Sequence, residues 1–285
     1  MNFETNTGEF YRLNIELPFF NKYLKNKPEV PLPEAYIFET GTNQWHSFDQ
    51  WPPKNISSKN IFLHPNEKLS FEKPMNDSST TFDEYVSNPK KPVPYTSKTL
   101  DSKTFYNKKY LVEDQRFSSS RSDVLMYESE ILNEDLTIAG SINVDLFVST
   151  SGTDCDWVVK VIDVFPDDEL NPQPNPNDIE MGGHQMLVRG DIFRSKFRNS
   201  FKKPEPMIPN EVTEIKFNLN DVCHTFLKGH KIMIQIQSSW FPLFDRNPQT
   251  FVNIYNAEES DFKKATQRVY HTTKFPSKIS FNILK

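Results

Sequence analysis

The stretch that decides the fold is SINVDLFVST, residues 141–150, in which apolar and polar side chains alternate. Ile142, Val144 and Leu146 fall on one face of an extended chain, because successive side chains of a strand point to opposite sides of the sheet. The same alternation returns in KIMIQIQSS, residues 231–239. Both segments are therefore predicted to be strands with one buried face.

Further strands are predicted on both sides of this stretch. Turn-forming residues separate them, and most are not joined by a helical pattern, which is typical of an antiparallel sandwich. The predicted fold class is mainly β, a jelly-roll-like antiparallel β-sandwich preceded by a short helical segment. The additional strands are AYIFET (35–40), NIFLH (60–64), KLSF (68–71), DVLMYESE (123–130), DWVVKVIDVF (156–165), MLVRGDIFRSKF (186–197), VTEIKFNLN (212–220), TFVNIY (250–255) and KISFNIL (278–284).

The helical segment is GEFYRLNIELPFFNKYLKN, residues 8–26, where apolar side chains recur three and four positions apart. Pro18 would clash with the carbonyl of Asn14 in a continuous helix, so we expect a kink there or a new helix that begins at it. Three prolines in NKPEVPLPEA, residues 26–35, then end any helix. The apolar stripe consists of Phe10, Leu13, Leu17, Phe20 and Leu24.

These patterns divide the chain into two parts. Residues 1–34 are predicted to hold the helix and a linker, and residues 35–285 the β-sandwich. Within the sandwich, residues 53–120 contain few apolar positions and are predicted to form a long, loop-rich insert. The segment DEYVSNPKKPVPY, residues 83–95, is predicted to be an extended strap stiffened by proline.

Composition excludes several classes of function. The chain has 285 residues and a net charge of -5, and its basic residues are scattered, so nucleic acid is not an expected partner. No apolar run reaches the ~20 residues of a spanning helix, and the start lacks a signal-peptide pattern, so no membrane association is expected. Cys155 and Cys223 are predicted to be independent thiols, with a disulfide as the alternative if the protein is exported. No glycine-rich phosphate loop occurs, and no cofactor is predicted.

No metal site is predicted either. His224 and His230 flank a turn, and they would bind a metal only if they converged with Asp221; local hydrogen bonds are the preferred interpretation. The acidic loop DVFPDDEL, residues 163–170, lacks the glycine-punctuated spacing of a calcium loop and is predicted to be a solvated turn.

The loop after the strand at 231–239 is QSSWFPLFDRNPQT, residues 237–250. Pro242 cannot donate to a strand ladder, so the aromatic residues around it must leave the sheet. Two interpretations stay open for this loop, a structural tie and the wall of a ligand pocket. Its aromatic residues are Trp240, Phe241 and Phe244, and the side chains available for a tie are Asp245 and Arg246.

Several long motifs carry a family resemblance. They are SRSDVLMYESEIL (120–132), IAGSINVDLFVSTSGTDCDWVVKVIDVFPDD (138–168), GDIFRSKFRNSF (190–201), HTFLKGHKIMIQIQSSWFPLFDRNPQT (224–250) and KKATQRVYH (263–271). In this order they resemble the C-terminal β domain of the cocaine-esterase-like (CocE/NonD) serine hydrolases, above all the α-amino-acid ester hydrolases and cephalosporin acylases. LPFFNKYLK, residues 17–25, resembles the last helix of that family's α/β-hydrolase domain, and FETGTNQWHSFDQWPP, residues 38–53, the entry to its jelly roll.

The resemblance implies a non-catalytic role for this chain in ester or amide hydrolysis through an acyl-enzyme. The family's nucleophile, acid, base and oxyanion hole lie upstream of the residues present here, and the sequence contains no G-x-S-x-G elbow. The implied partner is an α/β-hydrolase catalytic domain, in the same longer chain or as a split partner. The chain would pack on that domain and help to wall its acyl pocket, with Trp240, Phe241, Phe244 and Trp157 nearest that surface.

Two alternatives belong to other classes of protein. The first is a stand-alone carbohydrate- or peptide-binding β-sandwich module. The second is a structural assembly domain, in which the apolar stripe of the helix drives formation of a homo-oligomer.

Overall fold

The computed structural model describes residues 6–25, 27, 32–75, 81–98, 109–176 and 178–285. Within these ranges the chain is mainly β, as predicted. The helices are α1 Thr7–Tyr11, α2 Leu17–Lys25 and the short α3 Arg116–Ser119; a π-helical segment, Arg12–Glu16, joins α1 to α2, and 3₁₀ turns lie at Tyr110–Val112, Ser195–Phe197, Ile254–Asn256 and Glu259–Asp261. The strands are β1 Ala35–Glu39, β2 Gln44–Phe48, β3 Ile56–His64, β4 Lys68–Ser70, β5 Phe82–Ser87, β6 Leu125–Glu128, β7 Leu136–Thr150, β8 Asp156–Val164, β9 Gln185–Arg194, β10 Thr213–Phe226, β11 Lys231–Gln237, β12 Ala265–Tyr270 and β13 Lys278–Leu284.

Eleven of the described strands form one continuous hydrogen-bonded sheet. Its order is β5-β12-β7-β13-β3-β4-β6-β11-β8-β9, with β10 paired to β7, while β1 and β2 form a separate hairpin. The pairings between these strands are antiparallel except the single bridge between β4 and β6. The long strand β7 pairs with β10 along one edge and with β12 and β13 along the other.

The apolar faces of the alternating strands enclose one core, which lies between two layers of this sheet. Val144 and Leu146 of β7 are buried in the same cluster as Val159 of β8 and Ile234 of β11. Strands that lie far apart in the order of this sheet therefore face each other across the core, which makes the fold a sandwich.

The strands β8 and β11 are also covered on their outer side. Val158 and Ile162 of β8 point away from the main core and pack with Met233 of β11 in a second cluster. Tyr95 and Trp240 close this cluster from outside. Every residue of β8 is buried as a result, which explains why its sequence reads as a nearly continuous apolar run.

The helix contains a π-helical turn just before its proline. The Leu17 N–H donates to the Arg12 carbonyl, five residues back, and α2 begins at Leu17. The backbone at Arg12 and Leu17 keeps right-handed helical angles, so the helical run continues through the π turn into α2. The structure therefore shows no new helix start at Pro18; a π turn just before the proline interrupts the regular α-helical pattern instead.

One predicted strand is wrong. The segment 250–255 is held in turns, because the Asn253 side chain accepts from the Tyr255 N–H at 3.1 Å and closes the 3₁₀ turn Ile254–Asn256. The Thr250 hydroxyl donates to the Asp261 carbonyl at 2.9 Å. The segment therefore satisfies its polar groups locally rather than in a strand ladder.

Two further features complete the fold. The loop-rich insert predicted at 53–120 contains β3, β4 and β5, and part of it lies outside the described residues, as does most of the proline-rich stretch at 28–33. Across the described ranges, no helix has the length and apolar character needed to cross a bilayer.

Candidate functional site

The candidate site is built from two segments that run side by side, which we call the aromatic loop, residues 238–250, and the strap, residues 88–95. The first five residues of the strap predicted at 83–95 belong to β5 instead. The Phe241 N–H donates to the Val93 carbonyl at 3.0 Å, and the Tyr95 N–H donates to the Phe241 carbonyl at 2.9 Å. These two bonds fix the strap against the loop and set the direction of the aromatic side chains beside them.

The three aromatic residues predicted for the loop lie together but at different depths. Trp240 is 4% exposed and packs in the second cluster. Phe244 stacks on it, with ring centroids 6.1 Å apart and 25° between the planes. Phe241 and Phe244 are 36% and 37% exposed, so these two form the surface and Trp240 supports them from below.

Arg246 joins the loop to the strap. Its Nη1 donates to the Pro89 carbonyl at 2.9 Å. Its guanidinium carbon lies 5.6 Å from the ring centroid of Phe241 and 4.8 Å from that of Phe262, within the range of cation–π contacts. Asp245 takes part through its backbone carbonyl, which accepts from Arg194 Nη2 at 3.2 Å.

A buried ion pair anchors the base of the loop. Arg194 donates from Nε and Nη2 to the two carboxylate oxygens of Asp156, each at 2.8 Å, and Asn247 Nδ2 donates to the same carboxylate at 2.7 Å. Burial alone would lower the pKa of Arg194, but the hydrogen bonds and charge of Asp156 raise it above its ordinary value. The loop is therefore held at fixed geometry by a bidentate pair.

A buried lysine lies directly under the loop. Lys160 of β8 is fully buried, and its Nζ donates to Gln115 Oε1 at 3.0 Å and lies 5.3 Å from the ring centroid of Trp240. Burial lowers the pKa of Lys160 from 10.5 to about 7, and the charge of Glu113 only partly opposes this.

Trp157 does not reach this surface. It is fully buried in the main core, where its Nε1 donates to Ser195 Oγ at 2.9 Å. We predicted that Trp157 lies near the aromatic residues of the loop. In β8, however, its ring points into the main core, whereas the next residue, Val158, points to the opposite face and joins the second cluster.

The helix presents a second apolar surface. Phe10 attaches the helix to the hairpin of β1 and β2 by stacking on Trp45 and Tyr36, with centroids 4.7 and 5.7 Å apart. The rest of the predicted stripe remains uncovered by the described residues. The exposed apolar side chains, 47–73% accessible, are Tyr11, Leu13, Leu17, Phe19, Phe20, Tyr23 and Leu24, and we call them the helix face.

A buried cluster of two histidines and an aspartate was not anticipated. His230 Nδ1 lies 2.8 Å from Asp163 Oδ1, and His224 Nε2 lies 3.3 Å from Asp163 Oδ2. Burial would raise the pKa of Asp163, but the hydrogen bonds to both histidines lower it below its ordinary value. Asp163 is thus part of β8 and not of a solvated turn, whereas Asp221, the predicted point of convergence, accepts from Trp51 Nε1 at 2.6 Å.

One feature of the sequence could have indicated this buried cluster. Asp163 interrupts the apolar run of β8, and an ionisable group inside such a run must find buried partners. The partners lie on β10 and in the turn before β11, 61 and 67 residues away along the chain, so spacing alone could not identify them.

The remaining candidate groups are the two cysteines and the side chains that could bind a metal. Cys155 and Cys223 are both free and buried. Among the residues the structure describes, no group of three or more His, Cys, Asp or Glu side chains is placed to hold a metal ion.

Comparison with known families gives one match that covers most of the chain. The model of the X-Pro dipeptidyl-peptidase C-terminal non-catalytic domain matches residues 28–280. The chain belongs to this family.

Proteins similar to this chain are longer than it is. Cocaine esterase of Rhodococcus sp. (strain MB1 Bresler) is 28% identical over 275 residues, which cover 94% of this chain and 45% of the esterase. The structure of an aminopeptidase from the marine sediment archaeon Thaumarchaeota archaeon superposes with a TM-score of 0.91 at 44% identity, over 100% of this chain and 46% of that one. An α-amino acid ester hydrolase structure gives a TM-score of 0.89 at 40% identity, over 99% and 46%.

These matches confirm the resemblance predicted from the motifs. This chain is a non-catalytic C-terminal domain of the CocE/NonD hydrolase type. It spans a little under half the length of these three relatives.

Proposed function

We propose that this domain docks on an α/β-hydrolase catalytic domain, in the same longer chain or as a split partner, and helps to wall the acyl pocket of an ester- or amide-hydrolysing enzyme. In this proposal residues 1–34 supply the last helix of the catalytic unit and a linker, and residues 35–285 supply the sandwich. The domain contributes positioning and exclusion of water, and the catalytic partner contributes the acyl-enzyme chemistry.

The observation that carries the proposal is the helix face. The helix is attached to the hairpin through Phe10, yet it exposes a row of aromatic and aliphatic side chains to water. Exposed apolar patches of this kind mark interaction sites. The helix precedes the sandwich in the chain, so a domain placed ahead of it would meet this surface first.

The aromatic loop supports the second half of the proposal. Phe241 and Phe244 are exposed on a loop that is fixed by Arg246, Asn247 and the strap. A rigid aromatic wall loses little conformational entropy when it meets a substrate or a partner domain. Trp240 supports this wall from beneath, and Trp157, which is buried in the core, has no part in it.

A chimera tests the docking role. This chain replaces the matching 46% of the archaeal aminopeptidase, whose aminopeptidase activity is then measured. We expect the chimera to be active, and the double substitution Phe20→Glu with Leu24→Glu to abolish activity, because two carboxylates would be buried at the domain interface. The control is Lys22→Glu, which introduces a carboxylate on the same helix at an exposed position.

The catalytic claim has its own test with the isolated chain. A fluorophosphonate probe and a chromogenic ester are incubated with the purified domain, and neither labelling nor turnover is expected. Stoichiometric labelling of any serine would contradict a non-catalytic role. Full activity of the chimera carrying both helix substitutions would contradict docking through the helix face.

A second candidate function, a carbohydrate- or peptide-binding module, is favoured by a separate aromatic cleft. A cavity of about 480 Å³ is lined by Phe197, Phe251 and Tyr255, and Phe251 and Tyr255 are exposed at its edge. Calorimetric titration with oligosaccharides and peptides tests this function. Saturable binding that is lost in Tyr255→Ala would support it, and an absence of heat would argue against it.

A further inference from the structure

A cavity of about 630 Å³ opens above the buried pair of Asp163 and His230. This volume lies within the range of roughly 300–1,000 Å³ that is typical of small-molecule sites. The turn of the β1–β2 hairpin, at Gly41 and Asn43, forms one rim, and the loop after β8, residues 165–176, forms the other. The cavity is therefore bounded by two separate segments of backbone.

The chemistry of the floor is set by one hydrogen bond. Asp163 is 1% exposed and its pKa lies below the ordinary value, so it is ionised and accepts a proton-bearing Nδ1 from His230 at 2.8 Å. In a neutral imidazole that carries its proton on Nδ1, Nε2 bears a lone pair. Because His230 lines the cavity, Nε2 is the ring nitrogen that remains to accept a hydrogen bond from an occupant.

The position of His230 is fixed from several sides. Gly229 adopts a φ of +91°, a conformation available to glycine, and this tight turn places His230 immediately before β11. The Phe165 ring packs against the imidazole with centroids 4.6 Å apart. His224 lies at the other oxygen of Asp163, at 3.3 Å, so the carboxylate cannot easily rotate away from His230.

The walls of the cavity combine apolar side chains with a few amide side chains, and its charges are negative. Phe165, Met181, Met186 and Leu227 line it, while Asp163 and Glu169 carry its charged groups. None of the described lining residues is Lys or Arg. The occupant that fits this environment has an apolar body and a positively charged, hydrogen-bond-donating end.

We propose that this cavity binds an amphipathic organic cation, a compact ammonium compound with an aromatic or aliphatic body. The ammonium N–H donates to His230 Nε2, and Asp163 behind the ring and Glu169 at the rim compensate its charge. The apolar body packs on Phe165 and the methionines, whose ring and thioethers are favourable neighbours for a cation-bearing group. A carboxylate ligand would instead meet a lone pair and two negative charges.

The test compares three probes of one shape and different charge, titrated into the purified chain by calorimetry. 2-Phenylethylamine is the cation, 2-phenylethanol the neutral analogue and phenylacetate the anion. We expect saturable one-to-one binding of the amine, with the alcohol weaker by about tenfold or more, since a charge-assisted hydrogen bond is lost. Equal affinity for amine and alcohol, or no saturable binding of the amine, overturns the proposal.

Substitutions locate the binding. His230→Phe removes the acceptor and is expected to weaken binding of the amine about ten- to a hundredfold. Because that change also leaves Asp163 buried without its partner, an exposed residue gives the second arm. Glu169→Gln at the rim is expected to weaken the amine by about two- to fivefold and to leave the alcohol unchanged. The matched control is Asp168→Asn, an exposed neighbour outside the lining, and an equal effect of both substitutions would also overturn the proposal.

This site is independent of the docking proposal. The titration uses the chain itself and needs no catalytic partner. A failed titration leaves the helix face untouched, and a failed chimera leaves the cavity untouched.

Discussion

Lys160 shows how one buried residue couples the sandwich to the aromatic loop. It stands in a strand whose every residue is buried, and it lies between Gln115 and the Trp240 ring. Burial disfavours the charged form, so the unfolded chain holds this proton more tightly than the folded one.

The sign of the resulting pH dependence follows from linkage. Between pH of about 7 and 10.5 the unfolded state binds more protons at Lys160 than the folded state, so Lys160 contributes a rise in the free energy of unfolding with pH over that window. Lys160→Met should flatten this rise, as measured by urea unfolding across the window. The exposed Lys228→Met is the control and should leave the slope as it is; an unchanged slope in Lys160→Met would contradict the assigned cause.

The ion pair of Asp156 and Arg194 is expected to contribute more to the free energy of unfolding than a surface ion pair does. Asp156→Asn leaves the Arg194 guanidinium buried without its carboxylate and should lower the free energy of unfolding by about 3–5 kcal/mol. Glu84→Gln, which breaks the more exposed pair with Arg268, should cost about 0–1 kcal/mol. Urea denaturation measures both, and equal losses would show that burial does not distinguish the two pairs.

At the level of elements, the β1–β2 hairpin is fixed on β10 by a close approach of backbone. Thr225 N–H donates to the Thr40 carbonyl at 2.9 Å, and Thr40 N–H donates to the Cys223 carbonyl at 3.1 Å. Gly41 follows with a φ of +95°, and a Cβ at this position would overlap the Thr225 carbonyl oxygen. The hairpin that carries the Phe10 stack therefore depends on glycine at this turn.

Gly41→Ala is expected to lower stability by more than about 1 kcal/mol, because the left-handed conformation and the backbone overlap are both unfavourable for alanine. Gly8→Ala is the matched control. It lies in α1 with nothing nearer to its added Cβ than 3.8 Å, and it should be neutral or slightly stabilising. Thermal unfolding distinguishes the two, and a neutral Gly41→Ala would show that the hairpin relaxes freely.

The elements that the sequence predicts well are those with a regular apolar pattern. β7 alternates because one face meets the core. β11 is buried on both faces, and its alternation survives because Gln235 and Gln237 lie on the outer face. The segment 250–255 has the composition of a strand, yet local hydrogen bonds from Thr250 and Asn253 hold it in turns. Propensity could not reveal this, because the competing bonds depend on the tertiary position of Asp261.

The candidate site could be predicted only in part, because the depth of its side chains depends on contacts between distant segments. Pro242 places the aromatic residues outside the sheet, but their depth depends on the strap and on β8, so the sequence could not separate buried Trp240 from exposed Phe241. The convergence of His224 and His230 on Asp163 joins three elements that are distant in sequence, and only the folded chain brings them together.

At the scale of the whole molecule, the sandwich encloses an apolar core, whereas the helix face leaves apolar side chains exposed. The purified chain is expected to self-associate through this face, because exposed apolar side chains gain free energy when they are removed from water. Phe20→Glu with Leu24→Glu should shift the chain toward monomer in analytical ultracentrifugation, and Lys22→Glu should not. A wild-type chain that stays monomeric at high concentration would contradict this expectation.

In the proposed arrangement, a non-catalytic sandwich docks on a catalytic domain through its helix face and aromatic loop. Amide hydrogen exchange, measured on the isolated chain and on the same chain within the aminopeptidase chimera, reports on this docking. We expect slower exchange in the chimera at Leu17–Lys25 and at residues 238–250, with little change in β8, which is already buried. Equal exchange in the two settings at both segments would contradict it.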